Sequence, residues 1–187
     1  MLKTIYVTGY RSFELNIFST KDKKLEVLKH ALKEEIVRFI EEGVEWVLIS
    51  GNLGVECWAG EVVLALKKEE YEIKLGVIFP FENFGENWNE INQMVLNNLK
   101  NQADYVNATS HKPYENAIQL RAHTQFLLEH TQGALIVYDE EYEGKPKYFY
   151  QDAKRLSEVK GYELRQVDMY SLENYAEDLY EEDYGFD

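Results

Sequence analysis

Cysteine is almost absent from this sequence. Cys57 is the only one in 187 residues, so no disulfide can close within the chain and a cytoplasmic setting is the expected one. Proline is scarce, with three in all, and no linker of low complexity offers a boundary for a second domain. Long apolar runs are missing as well. Stretches such as Ala134 to Tyr138 end after five residues, whereas a membrane helix needs about 20, and the alternating start Thr4-Ile5-Tyr6-Val7-Thr8 does not read as a secretory signal. Positive charge is in deficit, with 20 Lys and Arg against 34 Asp and Glu, a net −14. A chain of that sign is repelled by phosphate backbones and anionic lipid, so neither duplex nucleic acid nor a membrane is an expected partner. Half of the excess lies in residues 171–187, which hold seven acids and no Lys or Arg. The expected organisation is therefore one domain over 1–170 and a solvated, partly frayed acidic tail over 171–187.

What is present is a core. Hydrophobic residues make up 45% of the chain, enough at this length to bury roughly 70% of the unfolded surface. Thr4 to Thr8, Trp46 to Ser50, Lys74 to Phe79, Asp104 to Val106, Leu135 to Tyr138 and Leu164 to Val167 read as strands. Between the first two, Leu25, Leu28, Leu32, Ile36, Phe39 and Ile40 recur at helical spacing and Gly43 follows as a cap. Val55 to Leu66 and Trp88 to Leu99 carry the same period. Two more helices are read over Tyr114 to Thr131, closed by Gly133, and over Lys147 to Lys160, closed by Gly161, with Asn107 to Pro113 left as a polar loop. Strand followed by helix throughout is the pattern of an α/β, Rossmann-like doubly wound fold, mainly parallel, with helices on both faces. The first strand should lie centrally, with Gly9 and Gly51 opening at one edge.

In such a sheet ligands bind beyond the carboxyl ends of the strands, so those ends supply the candidate contacts. They are Gly9, Tyr10 and Arg11 after the first strand, and Ser50, Gly51, Asn52, Leu53, Gly54 and Glu56 after the second. Pro80 and Phe81 follow the third, and Asp139, Gly144 and Lys145 the fifth. Gly51 and Gly54 fit two readings: a cradle in which backbone and a helix N-terminus meet a phosphate, or an ordinary βα turn with positive φ. On the first reading, a methyl at Gly54 costs affinity more than stability. Glu56 either complements the helix dipole, accepts ribose hydroxyls or orients a water. Arg11 suits a phosphate or a surface ion pair. Asn116 and Arg121 lie on the fourth helix, where Arg121 reaches the cleft or faces solvent. The tryptophans read as core, with Tyr10, Phe81 and Trp88 the aromatics to watch for stacking. The four histidines lack zinc spacing, so no metal is expected, and Ser50 has no recognisable base.

The segments Tyr6-Val7-Thr8-Gly9-Tyr10-Arg11, Ser50-Gly51-Asn52-Leu53-Gly54-Val55-Glu56-Cys57-Trp58-Ala59-Gly60-Glu61 and Gly144-Lys145-Pro146 closely resemble the YpsA family of small, functionally uncharacterised bacterial proteins. The wider superfamily unites the DNA-processing protein DprA with the LONELY GUY phosphoribohydrolases. The resemblance implies a Rossmann-like fold and a nucleotide or nucleotide-derived ligand at Gly9, Arg11, Gly51, Gly54 and Glu56. The hydrolases' PGGxGTxxE signature is missing here, where the chain after the fifth strand runs Tyr138-Asp139-Glu140-Glu141-Tyr142-Glu143-Gly144-Lys145-Pro146. The leading expectation is a sensor or regulatory module that binds a nucleotide or ADP-ribose-like small molecule. Possible homo-oligomers and a bound nucleotide as the one cofactor accompany it. The alternatives are an N-glycosidic or phosphoester hydrolase with Glu56 as its catalytic residue, and an interaction protein with a vestigial pocket.

Overall fold

In the computed structural model, which describes residues 1–183, six strands alternate with six helices. They are β1 (Thr4–Gly9), α1 (Lys23–Glu41), β2 (Trp46–Ile49), α2 (Val55–Lys68), β3 (Lys74–Phe79), α3 (Glu90–Gln102), β4 (Tyr105–Ala108), α4 (Ala117–His130), β5 (Gly133–Val137), α5 (Lys147–Lys160), β6 (Glu163–Val167) and α6 (Met169–Asp183). A 3-10 turn, Ser12–Leu15, interrupts the β1–α1 connection. The strands form one sheet in the order β4-β3-β2-β1-β5-β6, every neighbouring pair parallel. β1 is central, as the alternation of strand and helix led us to expect, and Gly9 and Gly51 open at the same edge because parallel neighbours end together. The chain steps outward from β1 to β4 and then restarts beside β1 with β5. Right-handed crossovers therefore place α1, α2 and α3 on one face and α4 and α5 on the other. No helix among the described residues is long and apolar enough to cross a membrane.

The core lies where Ile5, Val7, Val47, Ile49, Leu75 and Val77 meet the apolar stripes of α1 and α2, and both faces of β5 are buried. Burial of a Val, Leu or Ile side chain contributes about 1.5–3 kcal/mol, which is why the uninterrupted run Ala134–Val137 marks an interior strand. Local chemistry trims the ends of elements read from periodicity. Asn89 accepts from the N–H of Asn92 and starts α3 two residues after Trp88. Asn116 caps α4, accepting from the N–H of Ile118, so that helix begins at Ala117 and not at Tyr114. Gly133 is not a helix stop. It belongs to β5, where a Cβ would lie 2.6 Å from the carbonyl oxygen of Glu163 in β6. β4 extends through Asn107 and Ala108, part of the stretch read as loop. Where charge suggested a solvated end over 171–187, α6 packs on α1 with Tyr175 buried against His30 and its hydroxyl donating to Glu35, while positions 184–187 of that tail lie outside the described residues.

Candidate functional site

Beyond the carboxyl ends of β1 and β2, two loops lock together before any ligand is considered. The N–H of Ser12 donates to the carbonyl of Leu53 at 3.2 Å and that of Val55 to Tyr10 at 3.1 Å, flanking an antiparallel bridge between Arg11 and Gly54. Gly54 has φ +114°, and a Cβ there would lie 2.5 Å from both the Ser12 nitrogen and the Tyr10 oxygen. Its close approach is thus to the protein's own backbone. Gly51 has φ +88°, and the space a Cβ would need is taken by Phe79 and Leu96. Gly9 likewise packs against Val137 and Val55, and Gly144 against the Glu14 carboxylate.

Glu56, in the first turn of α2, is 1% exposed and ties these loops from beneath. Its Oε1 accepts from the N–H of Ser50 at 2.5 Å, and its Oε2 accepts from Asn52 Nδ2 at 2.7 Å and Thr8 Oγ1 at 3.1 Å. Arg11 Nη1 stands 3.8 Å from Oε2 and donates to the carbonyl of Gly9. A carboxylate so enclosed positions Arg11 and Asn52, its acceptor sites being taken by the chain itself. The amides of Val55 and Cys57 also have backbone acceptors, in Tyr10 and Asn52. Those of Asn52 and Leu53 have none among the described residues.

Ser50 meets a histidine that its sequence neighbourhood does not contain. His123 of α4 brings Nε2 to 3.1 Å from Ser50 Oγ and 2.8 Å from the carbonyl oxygen of Ile78. A carbonyl only accepts, so Nε2 carries the proton and has no lone pair to take one from Ser50. Ser50 is fully buried and its hydroxyl also pairs with Tyr6 at 2.8 Å, so the pair is a structural tie. Burial holds the His123 pKa below its ordinary value. The unfolded chain then takes up a proton near pH 6.5 that the folded chain refuses. Stability from this residue is complete above about pH 6.5 and falls as the pH drops through it. Melting curves at pH 7.5 and 5.5 should show this loss, and His123→Gln, which keeps a donor for Ile78, should flatten it.

Above the braced loops lies an open cleft of about 800 Å³. Arg11, Asn52, Leu53, Phe81 and Lys145 line it. Gly54 also lines it, whereas Gly9, Tyr10, Ser50, Gly51, Glu56, Pro80, Asp139 and Gly144 do not. Tyr10 is buried, with its hydroxyl donating to Tyr142 O at 2.7 Å and accepting from the N–H of Asp139. Asp139 accepts from the N–H groups of Glu141 and Met169, and Pro80 is buried. Arg121 lies on a separate groove of about 1320 Å³ between α4 and α5, and Asn116 is a helix cap. Residue-by-residue reading missed Phe13, Phe18, Phe84 and Tyr114 of the cleft wall. Phe81 packs against Phe84 and Tyr114, with centroids 5.5 and 5.1 Å apart, and Phe84 packs against Trp88 at 5.3 Å. The aromatic spacing Phe79, Phe81, Phe84 and Trp88 was the available signal. Among the described residues no cluster suited to a metal ion is found.

Comparison with known proteins gives these features a lineage. The YpsA family model, described as YspA SLOG family, matches residues 5–172. A UPF0398 protein of Enterococcus faecalis is 54% identical over 174 residues, covering 93% of this chain and 97% of that relative. A UPF0398 protein of Brevibacillus brevis is 47% identical over 185 residues, covering 99% and 98%. Among solved structures, DNA processing protein A from Helicobacter pylori, studied for its single-stranded DNA binding mode, superposes with a TM-score of 0.51. It shares 14% identity and covers 95% of this chain and 81% of that one. The expected partner, a free nucleotide-like small molecule, is corrected by this comparison, because the fold neighbour binds a nucleic acid strand. With a family model matched from the first strand into the last helix and relatives near half identical along their whole length, the chain belongs to the YpsA family of SLOG proteins.

Proposed function

We propose that this protein is a binding module for single-stranded nucleic acid, holding a nucleotide unit of the strand in the cleft beyond β1, β2 and β3. The observation that carries this reading is the aromatic wall of Phe81, Trp88 and Tyr114 beside Arg11. Tyr114 is 50% exposed, and it packs on Phe81 with the two rings tilted by 54° and not stacked face to face. A ring open to a cleft can stack on any base, but only on one free of a duplex, and such stacking contributes about 1–3 kcal/mol per base. Arg11 supplies a guanidinium for the phosphate, and the amides of Asn52 and Leu53 are available donors. The cleft's cations are Arg11, Lys29 and Lys145, and Lys29 is paired with Glu61 at 2.6 Å. That leaves the lining slightly positive on a chain of net charge −14. The single-stranded DNA binding described for the Helicobacter pylori protein is of the same class.

Fluorescence anisotropy with a labelled twelve-residue thymidylate tests it. Binding is expected, and Phe81→Ala should weaken it by about 5- to 100-fold. With Arg11 partly neutralised by Glu56 and Lys145 the one cation of the cleft outside a salt bridge among the described residues, log K should fall with log salt at a slope of only about −0.7 to −1.4. A duplex of the same length should bind far less. Absence of binding to any single strand, in DNA or RNA form, would sink the reading.

A further inference from the structure

We infer that the cleft holds two successive bases of the strand, with Phe13 and Phe18 forming a second stacking platform on the far side of the Ser50–Gly54 loop from Phe81 and Trp88. This rests on the proposed function and extends it from one nucleotide unit to a dinucleotide step. Phe13 is 58% and Phe18 77% exposed, and both line the same cleft. Among the described residues neither ring has an aromatic neighbour, so packing does not account for them.

The segment that presents them is well anchored. The Glu14 carboxylate accepts from the N–H groups of Arg11 and Lys145 at 2.8 and 2.9 Å. The N–H of Ile17 donates to Ser12 O at 3.0 Å, and Ile17 is buried between the two bare rings in sequence. Asn16 turns the chain with φ 54°.

Sheet order decides the geometry. β2 lies between β1 and β3, so the loop carrying Phe13 and Phe18 and the loop carrying Phe81 and Trp88 leave strands about 10 Å apart. A base in contact with one platform, at about 3.5–4 Å, leaves the other uncovered. Arg11 and Asn52 sit in the strip between them, where the phosphate joining two bases would fall. This complementarity of charge and rings selects a nucleic acid step over an apolar peptide.

The test is a length series: thymidine monophosphate, the dinucleotide and the twelve-residue strand, titrated against the intact chain and its Phe18→Ala and Phe81→Ala variants. Phe18→Ala should weaken the dinucleotide and the longer strand by about 5- to 100-fold and leave the mononucleotide unchanged, whereas Phe81→Ala should weaken all three. Mononucleotide binding too weak to measure beside a measurable dinucleotide also supports the inference, provided Phe18→Ala weakens the dinucleotide. Phe18 is on the surface, so its removal should leave the melting temperature within about 2 °C, and Phe13→Ala gives an independent check. Equal losses at every length, or none at any, would overturn the second platform while leaving the cleft reading intact. No binding of any length by the unmodified chain would overturn both.

Discussion

Replacing Gly54 with alanine is expected to lower the stability of the fold by about 3–5 kcal/mol and its melting temperature by about 10 °C or more. The added Cβ would stand 2.5 Å from two backbone atoms of the Tyr10–Ser12 segment. Backbone cannot swing aside as a side chain tip can. The φ of +114° adds strain that only glycine avoids. Gly161→Ala is the matched control, since its φ is also positive at +70° but nothing lies within 4 Å of its Cβ position, and only about 1 kcal/mol should be lost there. This reverses the expectation drawn from the bare glycine pattern, in which a methyl at Gly54 blocked a ligand and spared the fold. A Gly54→Ala protein that melts like the parent and loses only its affinity for thymidylate would restore the earlier view.

Glu56→Ala should cost about 3–5 kcal/mol, because it leaves the Ser50 amide, the Thr8 hydroxyl and the Asn52 amide without their acceptor and Arg11 without its counter-charge. Glu56→Gln keeps one acceptor oxygen and the shape, and should cost about 1–2 kcal/mol. Urea denaturation measures both, as a lower midpoint at constant slope. Thymidylate affinity should fall in both variants to the extent that Arg11 is released. If Glu56→Ala instead leaves the denaturation midpoint where it was, Glu56 does not brace the site and its network is incidental.

The difference between what pattern reveals and what contact decides can be followed residue by residue. β1, β2 and β3 were legible because alternating or continuous runs of Val, Ile, Leu and aromatics leave few other places for such residues than a buried sheet. α1 was legible from the spacing of Leu25, Leu28, Leu32 and Ile36, all buried. α6 escaped notice although Leu172, Tyr175, Ala176 and Leu179 repeat at helical spacing. Its acids dominate composition, yet an acidic face is what a surface helix turns to water.

The candidate site divides along the same line. Which loops gather at one edge followed from the parallel alternation of strand and helix, and the gathering of Arg11, Asn52, Phe81 and Lys145 needed only that. What each residue touches did not follow. A glycine with positive φ looks the same in sequence whether its open side meets a phosphate or the neighbouring loop, and at Gly54 the neighbour is Tyr10–Ser12. His123 lies 73 positions from Ser50, and no local spacing links them. Exposure of Phe13 and Phe18 is likewise a property of the folded surface, since a phenylalanine in sequence reads first as core. The sequence by itself determined the order of elements, the parallel sheet and the edge at which the loops meet, because hydrophobic period and chain direction are local quantities. Only the tertiary structure decided that Gly54 and Glu56 brace the site from below while aromatic rings and Arg11 face the cleft, because burial and hydrogen-bond partnership depend on segments brought together from distant parts of the chain.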